Sequence, residues 1–153
     1  MEFFQMDFGS DAYAIACDLR HEILRKPIGL SLYEEDLGQE KNHLHFGLRD
    51  ARQKLLACVI AVPLSKSEAR IRQMAVAPRQ QGQGCGRYLL LEMENLLAEK
   101  GFTRLSMHAR SSAEGFYAKL GYLPVGRVFM EVGLPHLPMV KNIENKSGGT
   151  FIG

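Results

Sequence analysis

The sequence predicts an α/β fold, because strand-like runs alternate along the chain with helices that carry one apolar stripe. Residues 43–48 and 55–62 are typical of two strands around a polar turn, and the second run is apolar enough to lie centrally in a sheet. Residues 84–99 are expected to form a helix that stops at Gly101. One stripe of this helix would be buried, namely Leu89, Met93, Leu96 and Leu97.

The N-terminal third predicts one strand and one helix. Residues 3–8 are expected to form the first strand, and Ser10 is a suitable N-cap for a helix that runs through Arg25. Pro27 and Gly29 would end that helix. Its expected buried face has helical spacing and consists of Ala12, Ile15, Ala16, Leu19 and Ile23.

The alternation of apolar and polar residues is interrupted in the strand that follows residue 67, and this interruption predicts a β-bulge. Ile71 is followed by the apolar residues Met74 and Val76, three and five positions further on. Strand side chains alternate between faces with a period of two, so this spacing breaks the alternation. The strand is therefore expected to be irregular just before the glycine-rich segment that comes next.

The region after the second helix predicts a strand followed by a short helix. Residues 103–109 alternate, with Leu105, Met107 and Ala109 on one face. Ser111 and Glu114 match a capping box, the pattern that begins many helices. The residues that this short helix is expected to bury are Ala113, Phe116, Tyr117 and Leu120.

The last forty residues predict two strands and a tail. Residues 125–132 and 136–142 are typical of a final strand pair, and Pro138, which has no N–H, predicts an edge position for the last strand. Residues 1–143 are expected to form a single domain, and the polar residues 144–153 a flexible tail.

Composition excludes several classes of function. A net charge of +2 on 153 residues is too small to predict nucleic-acid binding. No apolar run is long enough to span a membrane, and the N-terminus does not resemble a signal peptide, so a cytoplasmic protein without a membrane partner is expected. The three cysteines, Cys17, Cys58 and Cys85, are expected to be reduced thiols. The histidines lack metal-ligand spacing, so no metal is expected.

The segment from Arg70 to Arg87 predicts a site for a phosphate-bearing cofactor. A strand leads into a loop with glycine at positions 82, 84 and 86, and a helix follows at once. The first N–H groups of a helix have no partner inside it, and glycine lets the backbone approach a ligand closely. The Walker loop is excluded because no Lys-Ser or Lys-Thr pair follows. The dinucleotide-binding fingerprint, which would make the chain a nucleotide-dependent oxidoreductase, requires glycine where Arg87 stands.

A third kind of phosphate loop fits the sequence. The residues R-Q-Q-G-Q-G, from Arg79 to Gly84, resemble the Q/R-x-x-G-x-G/A motif of the GCN5-related N-acetyltransferases, a superfamily that binds acetyl-CoA. Residues 116–122, F-Y-A-K-L-G-Y, are similar to the superfamily's F-Y-x-K-L-G-F segment, and residues 129–136 resemble its ElaA-like branch. The resemblance implies a mixed sheet of about seven strands, splayed at its centre by the predicted bulge and flanked by about four helices.

The resemblance also implies which residues bind acetyl-CoA. Backbone N–H groups of the loop would hold the pyrophosphate, the side chains of Arg79 and Arg87 would add positive charge, and Cys85 would be a small residue near the coenzyme. The N–H of Val76 would polarise the thioester carbonyl. The family's asparagine contact is replaced by Arg110, so that contact would fall to Ser111 or Ser112. The full expected set is Met74, Ala75, Val76, Arg79, Gln81, Gly82, Gln83, Gly84, Cys85, Gly86, Arg87 and Ser112.

Two catalytic roles follow from the chemistry of amide formation. The departing thiolate needs a proton, and Tyr117 matches the tyrosine that commonly supplies it in this superfamily. The attacking amine must lose a proton, and His136 and Glu131 are the preferred candidates for the base, with His108 as a third. The structural alternative for each of these residues is a role in packing or hydrogen bonding alone.

The resemblance thus implies an acyltransferase that transfers the acetyl group of acetyl-CoA to a primary amine of a small molecule by direct attack. Two alternatives stay open at this point: a CoA-binding or acyl-CoA-binding sensor that does not turn over, and an enzyme that acetylates amines of peptides or proteins. The acidic run from Glu34 to Asp36 is either a recognition site for a cationic amine or a solvated turn. Homodimers are common in such folds, although no residue pattern here predicts one.

Overall fold

The computed structural model describes residues 1–145 and contains a mixed α/β fold, as predicted. Most of the predicted flexible tail, residues 146–153, lies outside the described residues. Eight strands form one sheet in the order β1-β2-β3-β4-β5-β8-β6, with β7 also paired to β8, where about seven strands were expected. The strands are β1 (Glu2–Met6), β2 (Leu44–Arg49), β3 (Leu55–Pro63), β4 (Glu68–Val76), β5 (Arg104–Arg110), β6 (Leu123–Pro124), β7 (Phe129–Glu131) and β8 (Leu134–Asn142).

The described chain has three α-helices and several shorter helical turns. The α-helices are α1 (Asp11–Arg20), α2 (Cys85–Glu99) and α3 (Glu114–Lys119). A π-helical turn, His21–Arg25, follows α1, and 3₁₀ turns occupy Lys26–Ile28, Leu32–Glu34, Leu37–Asn42, Pro78–Gln80 and Ser111–Ala113. No helix among residues 1–145 is long and apolar enough to cross a membrane.

The chain folds into two compact units. The first unit comprises Met1–Val62 and Gln73–Met93, and the second begins with Pro63–Arg72 and resumes at Glu94. In the first unit β1, β2 and β3 are consecutive antiparallel strands. Side chains from β1, β3, β4, α1 and the turn Leu32–Glu34 form a core cluster of Met6, Tyr13, Ala16, Cys17, Leu32, Cys58 and Ala75. The expectation of a single domain over residues 1–143 stays a prediction.

Helix α1 begins as predicted but buries a different stripe. The Ser10 hydroxyl accepts a hydrogen bond from the Tyr13 N–H at 3.1 Å, which confirms the predicted cap. The buried residues are Tyr13, Ala16, Cys17 and Arg20, which have i, i+3, i+4, i+7 spacing. Ile15 was expected to be buried and is instead exposed, because the inward stripe includes a tyrosine and an arginine that apolar spacing alone does not reveal.

Strand β4 is irregular where the sequence predicted it to be. Gln73 has φ of +55°, a left-handed conformation that is uncommon for residues other than glycine. Regular parallel pairing with β5 runs from Glu68 to Ile71 and ends before this residue. The buried positions of β4 nevertheless keep one parity, Ala69, Ile71 and Ala75, and Met74 and Val76 are half-buried.

In the second unit β8 is the longest strand and pairs on both sides. It runs antiparallel to β5 from Arg104↔Asn142 to Arg110↔His136. On its other side β6 and β7 are two short strands, so the predicted continuous strand at residues 125–132 was wrong. The turn between β7 and β8 uses left-handed backbone at Val132 and Gly133, with φ of +47° and +77°.

Pro138 does not lie in an edge strand, which corrects a second prediction. Its carbonyl accepts a 2.9 Å hydrogen bond from the N–H of Val125, and the N and O atoms of one strand residue point to the same side. The missing N–H of Pro138 therefore faces the gap between β6 and β7, where no strand pairing is interrupted by its absence.

The predicted capping box before α3 is absent. Residues Ser111–Ala113 form a 3₁₀ turn, Ala113 occupies the cap position, and no side-chain hydrogen bond caps the helix. Phe116 was expected to be buried and is exposed, whereas Leu120 is buried. The helix spans only Glu114–Lys119, so its short apolar stripe cannot bury every member.

Candidate active site

The glycine-rich loop of the first unit presents several N–H groups without backbone partners. Gly82 and Gly84 have φ of +78° and +83°, and a Cβ placed on either would meet no atom within 4 Å. Tyr88 N–H bonds to the Gly84 carbonyl at 2.9 Å. Among the described residues of this unit, no backbone acceptor outside α2 bonds the N–H groups of Gly82, Gly84, Cys85, Gly86 or Arg87. An open turn with free donors at a helix N-terminus is suited to bind an anion.

The side chains of two glutamines in the loop donate hydrogen bonds to backbone carbonyls and so stabilise its conformation. The Gln81 amide donates to the Val76 carbonyl at 3.1 Å, and the Gln83 amide donates to the Arg79 carbonyl at 3.1 Å. The side chains of Arg79 and Arg87 are exposed. The glutamines thus use their side chains for loop shape, while the two arginines are the cationic groups that remain at its surface.

The segment before the loop is anchored to the sheet. Ala77 N–H donates to the Leu56 carbonyl at 2.8 Å, directly after Met74–Val76, the strand residues expected to contact the coenzyme arm. Ala75 is buried in the core cluster, so its side chain fixes the strand. Cys85 is also buried, with its Sγ 3.5 Å from Met1 Sδ, and its role as a small residue near the coenzyme stays a prediction.

Tyr117 lies on α3 in the second unit. Its ring contacts those of Phe116 and Tyr122, with centroids 5.1 and 5.9 Å away. Burial raises the pKa of Tyr117 to about 12. The phenol therefore keeps its proton at neutral pH and is available as an acid. Of the serines considered beside it, Ser111 has a buried hydroxyl without a hydrogen-bond partner, and Ser112 is exposed.

The three candidate bases of the second unit come together in one cluster. Glu131 Oε1 lies 3.0 Å from His108 Nδ1, and Glu131 Oε2 lies 3.7 Å from His136 Nε2. The Phe129 ring lies edge-on to His108, at a centroid distance of 5.0 Å, and 6.0 Å from the ring of His136. Sequence reasoning treated these residues as competitors, whereas β5, β7 and β8 bring them side by side.

A backbone hydrogen bond fixes which ring nitrogen of His136 carries the proton. Its Nδ1 lies 2.9 Å from the Leu134 carbonyl oxygen, which can only accept, so Nδ1 carries the proton and donates. In the neutral ring Nε2 then holds the lone pair, directed toward the Glu131 carboxylate. A proton that arrives at Nε2 would be stabilised by this negative charge, so the pair is suited to accept one.

The acidic run from Glu34 to Asp36 has structural partners. Glu35 Oε2 lies 2.7 Å from Arg25 Nε, and Asp36 Oδ1 accepts a hydrogen bond from the Gly38 N–H at 3.0 Å. These contacts favour the interpretation of the run as a structural turn. Among residues 1–145, no group of three or more potential ligands is placed to hold a metal ion.

Sequence reasoning missed a buried polar network in the first unit. Arg20 and Glu40 form an ion pair at 2.7 Å, and Arg20 also reaches Gln73 at the irregularity of β4. The only sequence signal was an arginine at the inward spacing of α1, which apolar periodicity discards.

Comparisons with known proteins agree with this architecture. The family model described as the acetyltransferase (GNAT) domain matches residues 22–143. The N-acetyltransferase YitI of Bacillus subtilis, an uncharacterised protein, is 30% identical over 135 residues, which cover 82% of this chain and 89% of YitI. A Lactobacillus plantarum structure, described provisionally as an N-acetyltransferase, is 24% identical with a TM-score of 0.81, covering 93% of this chain and 99% of that one.

Two further solved structures share the fold at lower identity. Escherichia coli ElaA is 17% identical with a TM-score of 0.77, covering 92% of this chain and 99% of its own. An aminoglycoside 6'-N-acetyltransferase complexed with coenzyme A is 16% identical with a TM-score of 0.77, covering 93% and 97%. The match of the family model over most of the sequence, together with the YitI likeness, shows that this chain belongs to the GNAT family of N-acetyltransferases.

Proposed function

We propose that this N-acetyltransferase uses acetyl-CoA to acetylate a primary amine of a small molecule, by direct attack and without an acyl-enzyme. The single observation that carries the proposal is the open loop from Gly82 to Arg87, where every N–H group except that of Gln83 lacks a backbone acceptor outside α2 in its own unit. A diphosphate would satisfy these donors, and the exposed side chains of Arg79 and Arg87 would add charge-assisted contacts.

Further residues support binding of the rest of the coenzyme. Met74, Ala75 and Val76 would contact the pantetheine arm through their backbone, and Gln81, Gln83, Cys85, Gly86 and Ser112 complete the proposed binding set. The likeness to a fold relative complexed with coenzyme A supports the same assignment. Coenzyme A supplies an activated acetyl group, whose carbonyl the Val76 N–H would polarise.

The proton transfers are assigned to the second unit. Loss of a proton from the ammonium form of the substrate frees the nitrogen lone pair, and we assign that proton to His136 Nε2, with Glu131 stabilising the imidazolium. When the C–S bond breaks, Tyr117 would donate its phenolic proton to the thiolate. The raised pKa of this phenol, about 12, keeps the proton in place until that moment.

A small acceptor is favoured over a basic peptide. A polybasic peptide would need unpaired carboxylates, and in the acidic run Glu35 is paired with Arg25 while Asp36 accepts from a backbone N–H. Fold relatives include an aminoglycoside 6'-N-acetyltransferase and the ribosomal-protein-S18-alanine N-acetyltransferase of Escherichia coli, so both acceptor classes must be tested.

A panel assay tests the proposal. Release of free thiol from acetyl-CoA would be followed with small primary amines, amino acids, aminoglycosides and peptides, beside calorimetric titration of coenzyme A. We expect coenzyme binding together with turnover of at least one small amine. Binding without turnover of any acceptor would favour a sensor, and turnover of peptides alone would favour the peptide alternative. Absence of coenzyme binding would refute the proposal.

A further inference from the structure

Helix α1 ends at Arg20, and all three guanidinium nitrogens of this residue donate hydrogen bonds within the first unit. Arg20 is 1% exposed. Its Nη1 and Nη2 donate to the two carboxylate oxygens of Glu40 at 2.8 and 2.7 Å, and its Nε donates to Gln73 Oε1 at 2.7 Å. The helix changes to a π-helical turn immediately after this residue, a feature that often accompanies functional positions.

Glu40 is held in turn by groups from other elements. Its carboxylate accepts the Tyr13 hydroxyl at 2.6 Å, and its carbonyl lies 2.7 Å from His45 Nε2. Burial alone would raise the pKa of Glu40, but the Arg20 and Tyr13 hydrogen bonds hold it below the usual range, so the pair is ionic. Burying an ion pair rarely adds net stability over apolar packing, but its fixed geometry can specify one local conformation.

The conformation that this network fixes is that of Gln73. Its φ of +55° is unfavourable for a residue with a Cβ, so a partner must hold it. The partner is Arg20, through a hydrogen bond to the Gln73 side chain. Gln73 directly precedes Met74–Val76, so the direction of the backbone at Gln73 sets where those N–H and C=O groups point.

We propose that Arg20 and Gln73 are positioning residues for the coenzyme-binding strand: Arg20, fixed by Glu40, holds the left-handed kink at Gln73 that aims the backbone of Met74–Val76. The inference deepens the proposed function and rests on it. It assigns an effect on acetyl-CoA binding to a buried side chain of α1, which reaches β4 through its hydrogen bond to Gln73.

Substitutions at Gln73 separate positioning from folding. Gln73→Ala removes the acceptor of Arg20, and we expect coenzyme A to bind about tenfold more weakly, the size of one lost hydrogen bond to a charged group. The KM for acetyl-CoA should rise by a similar factor, with the KM for the amine unchanged. Gln73→Glu keeps an acceptor oxygen at the end of a side chain of the same length, so this variant should bind coenzyme A as the parent does.

A matched control lies in the same unit. Arg25 is also buried, but its Nε lies 2.7 Å from Glu35 Oε2 and its Nη1 donates to the Leu24 carbonyl, so neither of these hydrogen bonds of its side chain involves Gln73. Arg20→Lys should weaken coenzyme binding about as much as Gln73→Ala, and the double variant should add little further. Arg25→Lys should lower thermal stability and leave the coenzyme Kd unchanged.

Hydrogen exchange provides a readout that does not depend on the coenzyme. Amides of residues 74–77 should exchange faster in Gln73→Ala than in the parent, while those of β2 stay protected. If the parent binds coenzyme A and Gln73→Ala binds it equally well, the inference is overturned. If the parent binds no coenzyme, the proposed function fails, and unchanged exchange at residues 74–77 would then overturn the inference on its own.

Discussion

Glu131 and His136 face each other across a separation of 3.7 Å between Oε2 and Nε2, on two strands joined by a tight turn. Because His136 Nδ1 donates to a carbonyl, the Nε2 atom is the one that can take a proton. We expect His136→Asn to lower kcat/KM for the amine by 10²-fold or more, roughly the contribution of a general base. Coenzyme binding should be unchanged, as measured by calorimetry.

Glu131 is expected to act through the histidines rather than as the base itself. Glu131→Gln removes the charge that stabilises an imidazolium, and so should lower kcat/KM for the amine, although by a smaller factor than His136→Asn does. His108→Asn is the matched control, because His108 contacts the other oxygen of Glu131. An unchanged kcat/KM for the amine in Glu131→Gln would show that another group, or water, accepts the proton.

Tyr117 is expected to be the acid for the departing thiolate. Tyr117→Phe should lower kcat by about 10²-fold, with little change in coenzyme affinity, because only the proton donor is lost. Its pKa of about 12 predicts that activity does not decline between pH 8 and 10 through ionisation of this phenol. Tyr122→Phe is the control within the same ring cluster, since the Tyr122 hydroxyl is already bonded to Glu94. A Tyr117→Phe enzyme as fast as the parent would contradict the role.

The substitution Gly84→Ala tests whether the glycine-rich loop binds the coenzyme. Its φ of +83° makes Gly84→Ala cost about 1–2 kcal/mol of backbone strain, although the added Cβ would meet no atom within 4 Å. Relief of that strain would rotate the adjacent N–H groups, so coenzyme affinity should fall. Gly29→Ala is the control, because Gly29 has a similar φ of +76° and equal space. Both variants should lose similar thermal stability, and only Gly84→Ala should lose affinity in calorimetry.

Local patterns predicted most of the fold. Strands β1, β2, β3 and β5 and helix α2 lie within one or two residues of their predicted bounds, because each has clear apolar periodicity. The N-cap at Ser10 and the irregularity in β4 were also predicted correctly. The exposure of Ile15 was not, because helix α1 turns an arginine inward, and only a carboxylate twenty residues away makes that burial favourable.

The site was harder to predict than the fold. The loop from Gly82 to Arg87 follows from a contiguous motif, so sequence alone predicts it as a binding site, and its role stays a prediction. The cluster of His108, Glu131 and His136 depends on the register of β5 and β7 with β8, which no local pattern encodes. The expected continuous strand at residues 125–132 failed because Val125, Val128, Met130 and Val132 are exposed, so hydrophobicity there does not indicate a sheet position.

Stability is expected to depend on pH in the alkaline range, because the Tyr122 hydroxyl in the second unit is bonded to a buried carboxylate. Glu94 accepts the Tyr122 hydroxyl at 2.7 Å and lies 2.8 Å from Lys141 Nζ. Burial first, and then the Glu94 charge and hydrogen bond, raise the pKa of Tyr122 above that of a free tyrosine. A phenol with a higher pKa in the folded state binds its proton more tightly there. The stability it contributes is therefore complete below pH about 10 and is lost as the pH rises further.

Tyr122→Phe should consequently change stability in a pH-dependent way. At pH 7 the free energy of unfolding should fall by about 1–3 kcal/mol, since Glu94 loses one of its two partners while buried. From pH 10 upward the variant should lose stability less steeply than the parent, because it lacks the phenol whose pKa is raised in the folded state. Urea titrations at pH 7, 9, 10 and 11 measure both effects, with Tyr88→Phe, at an exposed tyrosine, as the control. Parallel loss of stability in parent and variant above pH 10 would show that Tyr122 does not carry this linkage.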